Sequence, residues 1–196
     1  MVKTFLQRIF SAWVSVMFFS RLLILISVLM LSACDDMLDD LNPSAEDLRP
    51  DVVPGSSGTY VDQQAINFTL TDTLNVDVTL TNEYPLVDAV VLYFTMWCPV
   101  CDSHMSYMRN YVVPNYPNVK FYFVDYVSGS VSSSRQAQLS NGYTDFDVLV
   151  DADNVVQEIY SATMGTVVVV DNSGIVKMNE DFKDGSKLNT VLNLLP

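Results

Sequence analysis

Leu92-Tyr93-Phe94-Thr95-Met96-Trp97-Cys98-Pro99-Val100-Cys101 decides the reading of this 196-residue chain. Residues 89–95 are an apolar and β-branched run with the length of a buried strand. Two thiols spaced C-x-x-C follow at once, and a helical pattern covers 102–112. The thiols therefore sit at the mouth of a strand-to-helix turn. Pro99 fits the first helical turn, where a missing N–H costs nothing. Cys98 then lies at the helix N-terminus, whose N–H groups and dipole favour a thiolate. Cys101, about one turn on, is close enough to close a disulfide with it. This arrangement suits reversible disulfide chemistry.

Trp97-Cys98-Pro99-Val100-Cys101 after a hydrophobic strand resembles the thioredoxin superfamily. It is most similar to the membrane-tethered thioredoxin-like reductases and redoxins of bacterial envelopes, including those of cytochrome maturation. The resemblance implies that Cys98 attacks a disulfide and Cys101 resolves the product. It implies a thiol–disulfide oxidoreductase that works on protein thiols and disulfides, as a monomer and without a cofactor.

Lys3, Arg8 and Arg21 precede an apolar run over 22–31, closed by Leu31-Ser32-Ala33-Cys34. A positive start, a short apolar stretch and small residues describe a secretory signal. Small residues ending in cysteine resemble the bacterial lipobox, which implies lipid on Cys34 after removal of residues 1–33. An uncleaved anchor helix is the alternative, since residues 9–19 are also apolar; Arg21 interrupts that longer run. Either reading leaves the chain beyond residue 34 outside the cytoplasm and beside a membrane. The Asp35-Asp36 pair after Cys34 implies the inner membrane, with the chain facing the periplasm. Three cysteines in an exported chain leave an odd one. With lipid on Cys34, the other two form one redox pair and no structural disulfide framework remains.

Three of the ten basic residues precede Cys34, which leaves seven against 23 acidic ones, a net charge of −16 beyond the signal. That charge argues against nucleic acid and against electrostatic attachment to anionic lipid, so lipid must do the anchoring. Residues 34–60 are rich in Asp, Pro, Ser and Gly and read as an acidic flexible tether. Residues 61–196 suffice for one domain.

Within that domain, residues 66–70 and 74–80 alternate around Thr71-Asp72-Thr73 and predict an added N-terminal β-hairpin. Residues 81–85 read as a loop. Cys101, Met105, Met108 and Val112 form one apolar helical stripe, ended by Pro114. Strands are expected over 119–126, 148–150, 166–170 and 175–178, and helices over 132–140, 155–160 and 186–195. The order β-β-β-α-β-α-β-α-β-β-α implies an α/β fold whose central mixed sheet is flanked by helices. It is similar to a thioredoxin-like fold of the redoxin type.

Other readings of the thiols are specific enough to compare. A structural zinc site needs four N/S ligands, and the chain has one histidine and no second C-x-x-C. Haem attachment needs a histidine after the second cysteine, where Asp102 stands. Cys98, Cys101 and His104 make a plausible soft site for Cu(I). A peroxidase-like redoxin is a third reading, but peroxidatic cysteines usually sit in a different local motif with a nearby threonine and arginine, and Arg109 is far along the helix. His104, three residues after Cys101, can approach the dithiol and move its proton. The cytochrome-maturation relatives often carry a glutamate at the matching place. Leu92 stands where thioredoxin has a buried aspartate, and Gly165 where the superfamily has a cis-proline. Trp97, Pro99, Gly165 and Thr166 are the expected substrate contacts, with the Trp97 ring as a platform.

Overall fold

The computed structural model describes residues 52–195. The expected signal, Cys34 and most of the expected tether lie outside those residues. The strands, in chain order, begin with β1 (Ser57–Gly58), β2 (Gln64–Ala65), β3 (Thr69–Asp72) and β4 (Asp77–Thr79). They continue with β5 (Ala89–Thr95), β6 (Val119–Asp125), β7 (Asp147–Val150), β8 (Thr166–Asp171) and β9 (Val176–Asp181). The helices are α1 (Leu80–Glu83), α2 (Pro99–Tyr107), α3 (Val131–Ser140), α4 (Val155–Ile159) and α5 (Ser186–Asn193).

All seven residues of β5 are buried, so this strand needs partners on both edges and layers on both faces. It pairs in parallel with β6 and antiparallel with β8. The sheet runs β4-β3-β7-β6-β5-β8-β9, a mixed sheet with the N-terminal hairpin at one edge. Alternate side chains of β5 go to opposite faces. Ala89, Val91 and Tyr93 pack with Met105, Met108 and Val112 and with Leu188 and Leu192 of α5. Val90, Leu92 and Phe94 pack on the other side with Leu80, Val156 and Tyr160. The expected stripe of the first long helix is therefore its buried face. That helix changes after Tyr107 into one wide π turn over Met108–Val112 and a short 3-10 turn holding Pro114. Pro114 has no N–H to continue the α-helical ladder.

Three local expectations change. The hairpin is present, but its turn is longer and its second strand shorter than the alternation predicts. The Asp72 side chain accepts the N–H groups of Leu74 and Val76, both at 2.8 Å, and Asn75 takes a φ of 64°. That side-chain turn withdraws 74–76 from the ladder. Leu80, 1% exposed, leaves the strand and opens α1 where a loop was expected, because it anchors in the core. Hydrogen-bonded structure also starts ahead of residue 61. β1 pairs in parallel with β2, Gly55 N–H donates to Asp62 O at 2.7 Å, and Asp62 N–H donates to Val176 O at 2.9 Å. Composition conceals this, since these contacts are made by backbone rather than by apolar side chains.

Candidate active site

The C-terminal end of β5 delivers both thiols. Cys98 is the N-cap of α2, with an extended φ/ψ of −86°/164°, and Pro99 takes the first helical position. The Cys98 Sγ accepts the N–H of Cys101 at 3.2 Å and lies 2.8 Å from the Cys101 Sγ. Both cysteines are free. Their surroundings differ. Cys98 is half-buried while Cys101 is 0% exposed. Desolvation pushes the Cys98 thiol up, but the Cys101 thiol and the N–H groups of Cys101 and Val100 outweigh it, so its pKa falls below the ordinary value. Burial pushes the Cys101 thiol up, and its hydrogen bond to Cys98 adds to the rise.

The floor beneath Cys101 is polar. Tyr93 and Thr95 project from β5 on the α2 side, two residues apart. The Thr95 hydroxyl meets the Met105 sulfur at 3.5 Å. The Tyr93 hydroxyl lies 3.0 Å from His104 Nδ1. His104 is half-buried, packed against Phe182 with ring centroids 4.7 Å apart. Desolvation holds its pKa below the usual imidazole value. The structure thus sets Cys98 and Cys101 side by side, with His104 one turn beyond Cys101 on the same helix and turned to Tyr93. Tyr93 escaped sequence reading because a tyrosine inside an apolar strand looks like core.

Trp97 has a φ of 58°, in the left-handed region. Its indole N–H donates to Asp125 Oδ2 at 2.7 Å, and its backbone N–H donates to the Thr95 hydroxyl at 3.2 Å. Asp125 is 0% exposed and also accepts the N–H groups of Val127 and Ser128, both at 3.1 Å. The ring is half-buried and packs against the α2-side core. Asp125 is the residue that fixes the turn before Cys98, and the only sequence signal for it is a carboxyl at the end of an apolar strand.

The loop beside His104 contains Gly165, and Thr166 opens β8; both residues are buried. Gly165 N–H donates to Phe94 O at 3.0 Å, and Gly165 O accepts the N–H of Phe182 at 2.8 Å. Its φ of 88° suits glycine, and a Cβ there would sit 3.5 Å from His104 Nδ1. Thr166 donates to Asp181 at 3.0 Å and accepts the Thr163 N–H at 2.9 Å. The backbone at Gly165 is thus engaged within the fold, and Thr163 and Met164 form the accessible side of the loop. No cis peptide bond occurs among the described residues. Pro99 is exposed beside Cys98.

Among the described residues, no three His, Cys, Asp or Glu side chains gather as metal ligands; His104 turns to Tyr93 instead. Arg109 is occupied elsewhere. It donates to Gly142 O at 2.8 Å and to Asp145 at 2.6 Å, over the Tyr143 ring at 4.3 Å. Eleven residues of helix separate it from Cys98, about 16 Å along the axis. No described helix is long and apolar enough to cross a membrane.

The family model described as AhpC/TSA matches residues 61–179. No curated protein matches the chain. Among solved structures, the fold is similar to dsbF from Mycobacterium tuberculosis at 22% identity and a TM-score of 0.55, covering 66% of this chain and 95% of that one. A thioredoxin-like protein from Aeropyrum pernix has 17% identity and a TM-score of 0.53, over 65% of this chain and 88% of that one. A secreted disulfide oxidoreductase from Mycobacterium tuberculosis has 20% identity and a TM-score of 0.52, over 65% and 96%. These likenesses establish a thioredoxin-like fold.

Proposed function

The chain belongs to the AhpC/TSA family, and from that premise we propose that it is a membrane-tethered, extracytoplasmic thiol–disulfide oxidoreductase acting on protein substrates. The observation that carries this reading is the contrast between the two thiols. Cys98 is accessible, N-caps a helix and has a lowered pKa, while Cys101 is buried with a raised one. A dithiol with one nucleophile and one protected partner is what two-step exchange requires. The Cys98 thiolate attacks a substrate disulfide, forming a mixed disulfide and releasing one substrate thiolate. Cys101 then attacks Cys98 Sγ; its bond to substrate breaks, and the second substrate sulfur leaves with the electron pair. Substrate gains two electrons, and Cys98–Cys101 becomes a disulfide. Run backwards, the same steps oxidise a substrate dithiol.

His104 serves as the base and acid for this traffic. Substrate peptide lies over exposed Pro99 and the Trp97 face, with Gly165 and Thr166 forming the supporting loop. The peroxidase-like reading is the weaker one, since Arg109 is bound to Asp145 and Gly142, away from the thiols. The copper-handling reading is weaker for a similar reason, since His104 is committed to Tyr93.

Mixing the reduced protein with a disulfide-bonded protein such as insulin tests the activity. Two thiols should vanish from each chain as two appear on the substrate. Absence of transfer in both directions, from reduced and from oxidised protein, would sink this function.

The tether is the second half of the proposal. We infer lipid on Cys34, which holds the domain at the outer face of the inner membrane. Mass spectrometry of protein from a bacterial host should find Cys34 as a diacylated N-terminus, and Cys34→Ala should move the protein out of the membrane fraction. An unmodified chain starting at Met1 would overturn it.

A further inference from the structure

Asp102 follows Cys101 directly, and its backbone N–H donates to Cys98 O at 2.9 Å. That bond makes Cys98 and Asp102 an i, i+4 pair at the start of α2. Residues so spaced share one helix face, with Cβ atoms roughly 6 Å apart. A carboxylate there opposes a thiolate on Cys98 by like-charge repulsion. The helix N-terminus favours that same thiolate. The Asp102 side chain is exposed, and one residue holds it. The Tyr143 hydroxyl donates to Asp102 Oδ1 at 2.6 Å and to Asp102 O at 3.0 Å.

Tyr143 lies in the loop between α3 and β7 and is 2% exposed. Arg109 sits over its ring at 4.3 Å and donates to Gly142 O, the carbonyl just before it, at 2.8 Å. Phe146 stacks on the ring with centroids 5.7 Å apart. Gln138 is 1% exposed and donates to Tyr143 O at 3.0 Å and to Phe146 O at 2.7 Å. Thr73 and Arg135 in turn donate to Gln138 Oε1, at 2.7 and 2.8 Å. Such a buried polar network fixes its members in one arrangement. Desolvation, and then the bond to Asp102, raises the Tyr143 pKa, so the phenol stays a donor near neutral pH. The other charged groups nearby have partners of their own. Arg109 is paired with Asp145 at 2.6 Å, and His104 turns to Tyr93.

We propose that Tyr143 is a positioning residue that, by holding the Asp102 carboxylate, sets the balance between dithiol and disulfide at Cys98 and Cys101. This rests on the dithiol reading above. Donation from Tyr143 draws negative charge toward the loop and away from Cys98. The Cys98 thiolate, and with it the reduced form, is thereby favoured. Without the hydroxyl the full charge returns to the first turn of α2. The disulfide form, which carries no charge on sulfur, then gains.

The test equilibrates the protein with glutathione buffers at about pH 7, where the free thiol is mostly protonated. In that exchange the protein dithiol gives two electrons and two protons to glutathione disulfide, which becomes two glutathione thiols. Tyr143→Phe keeps the buried ring and removes only the hydroxyl. It should raise the equilibrium constant for forming the protein disulfide by about twofold to fivefold, the range of an exposed electrostatic pair. It should also move the alkylation profile of Cys98 to higher pH. Asp102→Asn removes the charge but keeps an oxygen for Tyr143, and should shift both readouts the opposite way. In the Asp102→Asn background, Tyr143→Phe should add little. A tyrosine with a merely structural role would lower the melting temperature and leave equilibrium and alkylation unmoved, and that result overturns the proposal. Equal Tyr143→Phe shifts in both backgrounds overturn it as well. Should Tyr143→Phe fail to fold, Asp102→Asn decides alone, and no shift toward the dithiol overturns the proposal. Wild-type protein that forms no Cys98–Cys101 disulfide with glutathione overturns the dithiol reading itself; normal disulfide formation with unshifted variants overturns only the role of Tyr143.

Discussion

Cys98→Ser is expected to bring disulfide exchange down to the uncatalysed background, while Cys101→Ser is expected to accumulate mixed disulfides with substrate proteins. The two effects differ because the two thiols differ. Cys98 is half-buried at the start of α2 and receives the N–H of Cys101. Serine there cannot form an alkoxide near neutral pH, so no attack begins. Cys101 has no exposure, so its loss leaves attack possible and removes resolution. Alkylation against pH gives the sign. The Cys98 rate should reach half its maximum below the free-cysteine value of about 8.5, because its folded pKa is lowered. Cys101 should titrate above that value and react last, because its own is raised. Preferential alkylation of Cys101 would reverse the roles, and trapping by Cys98→Ser in place of Cys101→Ser would do the same.

Asp125→Ala carries the largest expected effect on the folded state. The buried carboxylate holds the Trp97 indole and the N–H groups of Val127 and Ser128. Alanine leaves all three donors without a partner. One unsatisfied buried donor costs about 1–3 kcal/mol, and relaxation returns part of the sum, so a loss of about 3 kcal/mol is expected. For a domain of this size that lowers the melting temperature by about 10 °C. A functional loss should accompany it, because Trp97 holds a left-handed φ of 58° one residue before Cys98. Asp125→Asn keeps one acceptor oxygen and should fall between wild type and alanine. Equal melting temperatures and exchange rates for Asp125→Ala and wild type would show that Trp97 needs no anchor.

Much of the fold was legible because hydrophobic period and local spacing carry it. The Ala89–Thr95 run, the Cys101-Met105-Met108-Val112 stripe and the Val-rich stretch from Thr166 all sit where their patterns put them. The hairpin was visible too, but its turn was not. Alternation says nothing about the Asp72 side chain, which captures two backbone N–H groups and lengthens the loop. Likewise, the strand-like pairing of Ser57–Gly58 with Gln64–Ala65 is backbone-made and leaves no apolar signature.

For the site, the chain's own order determines a C-x-x-C at a strand-to-helix turn. Pro99 in the first helical turn and His104 one turn beyond follow from the same spacing, and these suffice to name the chemistry. Which groups serve that chemistry was decided in three dimensions. Tyr93 reaches His104 from a neighbouring element, Asp125 reaches Trp97 from the next strand, and Gly165 closes its backbone onto Phe94 and Phe182. Arg109, already far along the helix from the dithiol in sequence, is held by Asp145. The physical reason is burial: buried polar groups must find partners, and the partners they find are set by which strands and helices the core brings together rather than by distance along the chain.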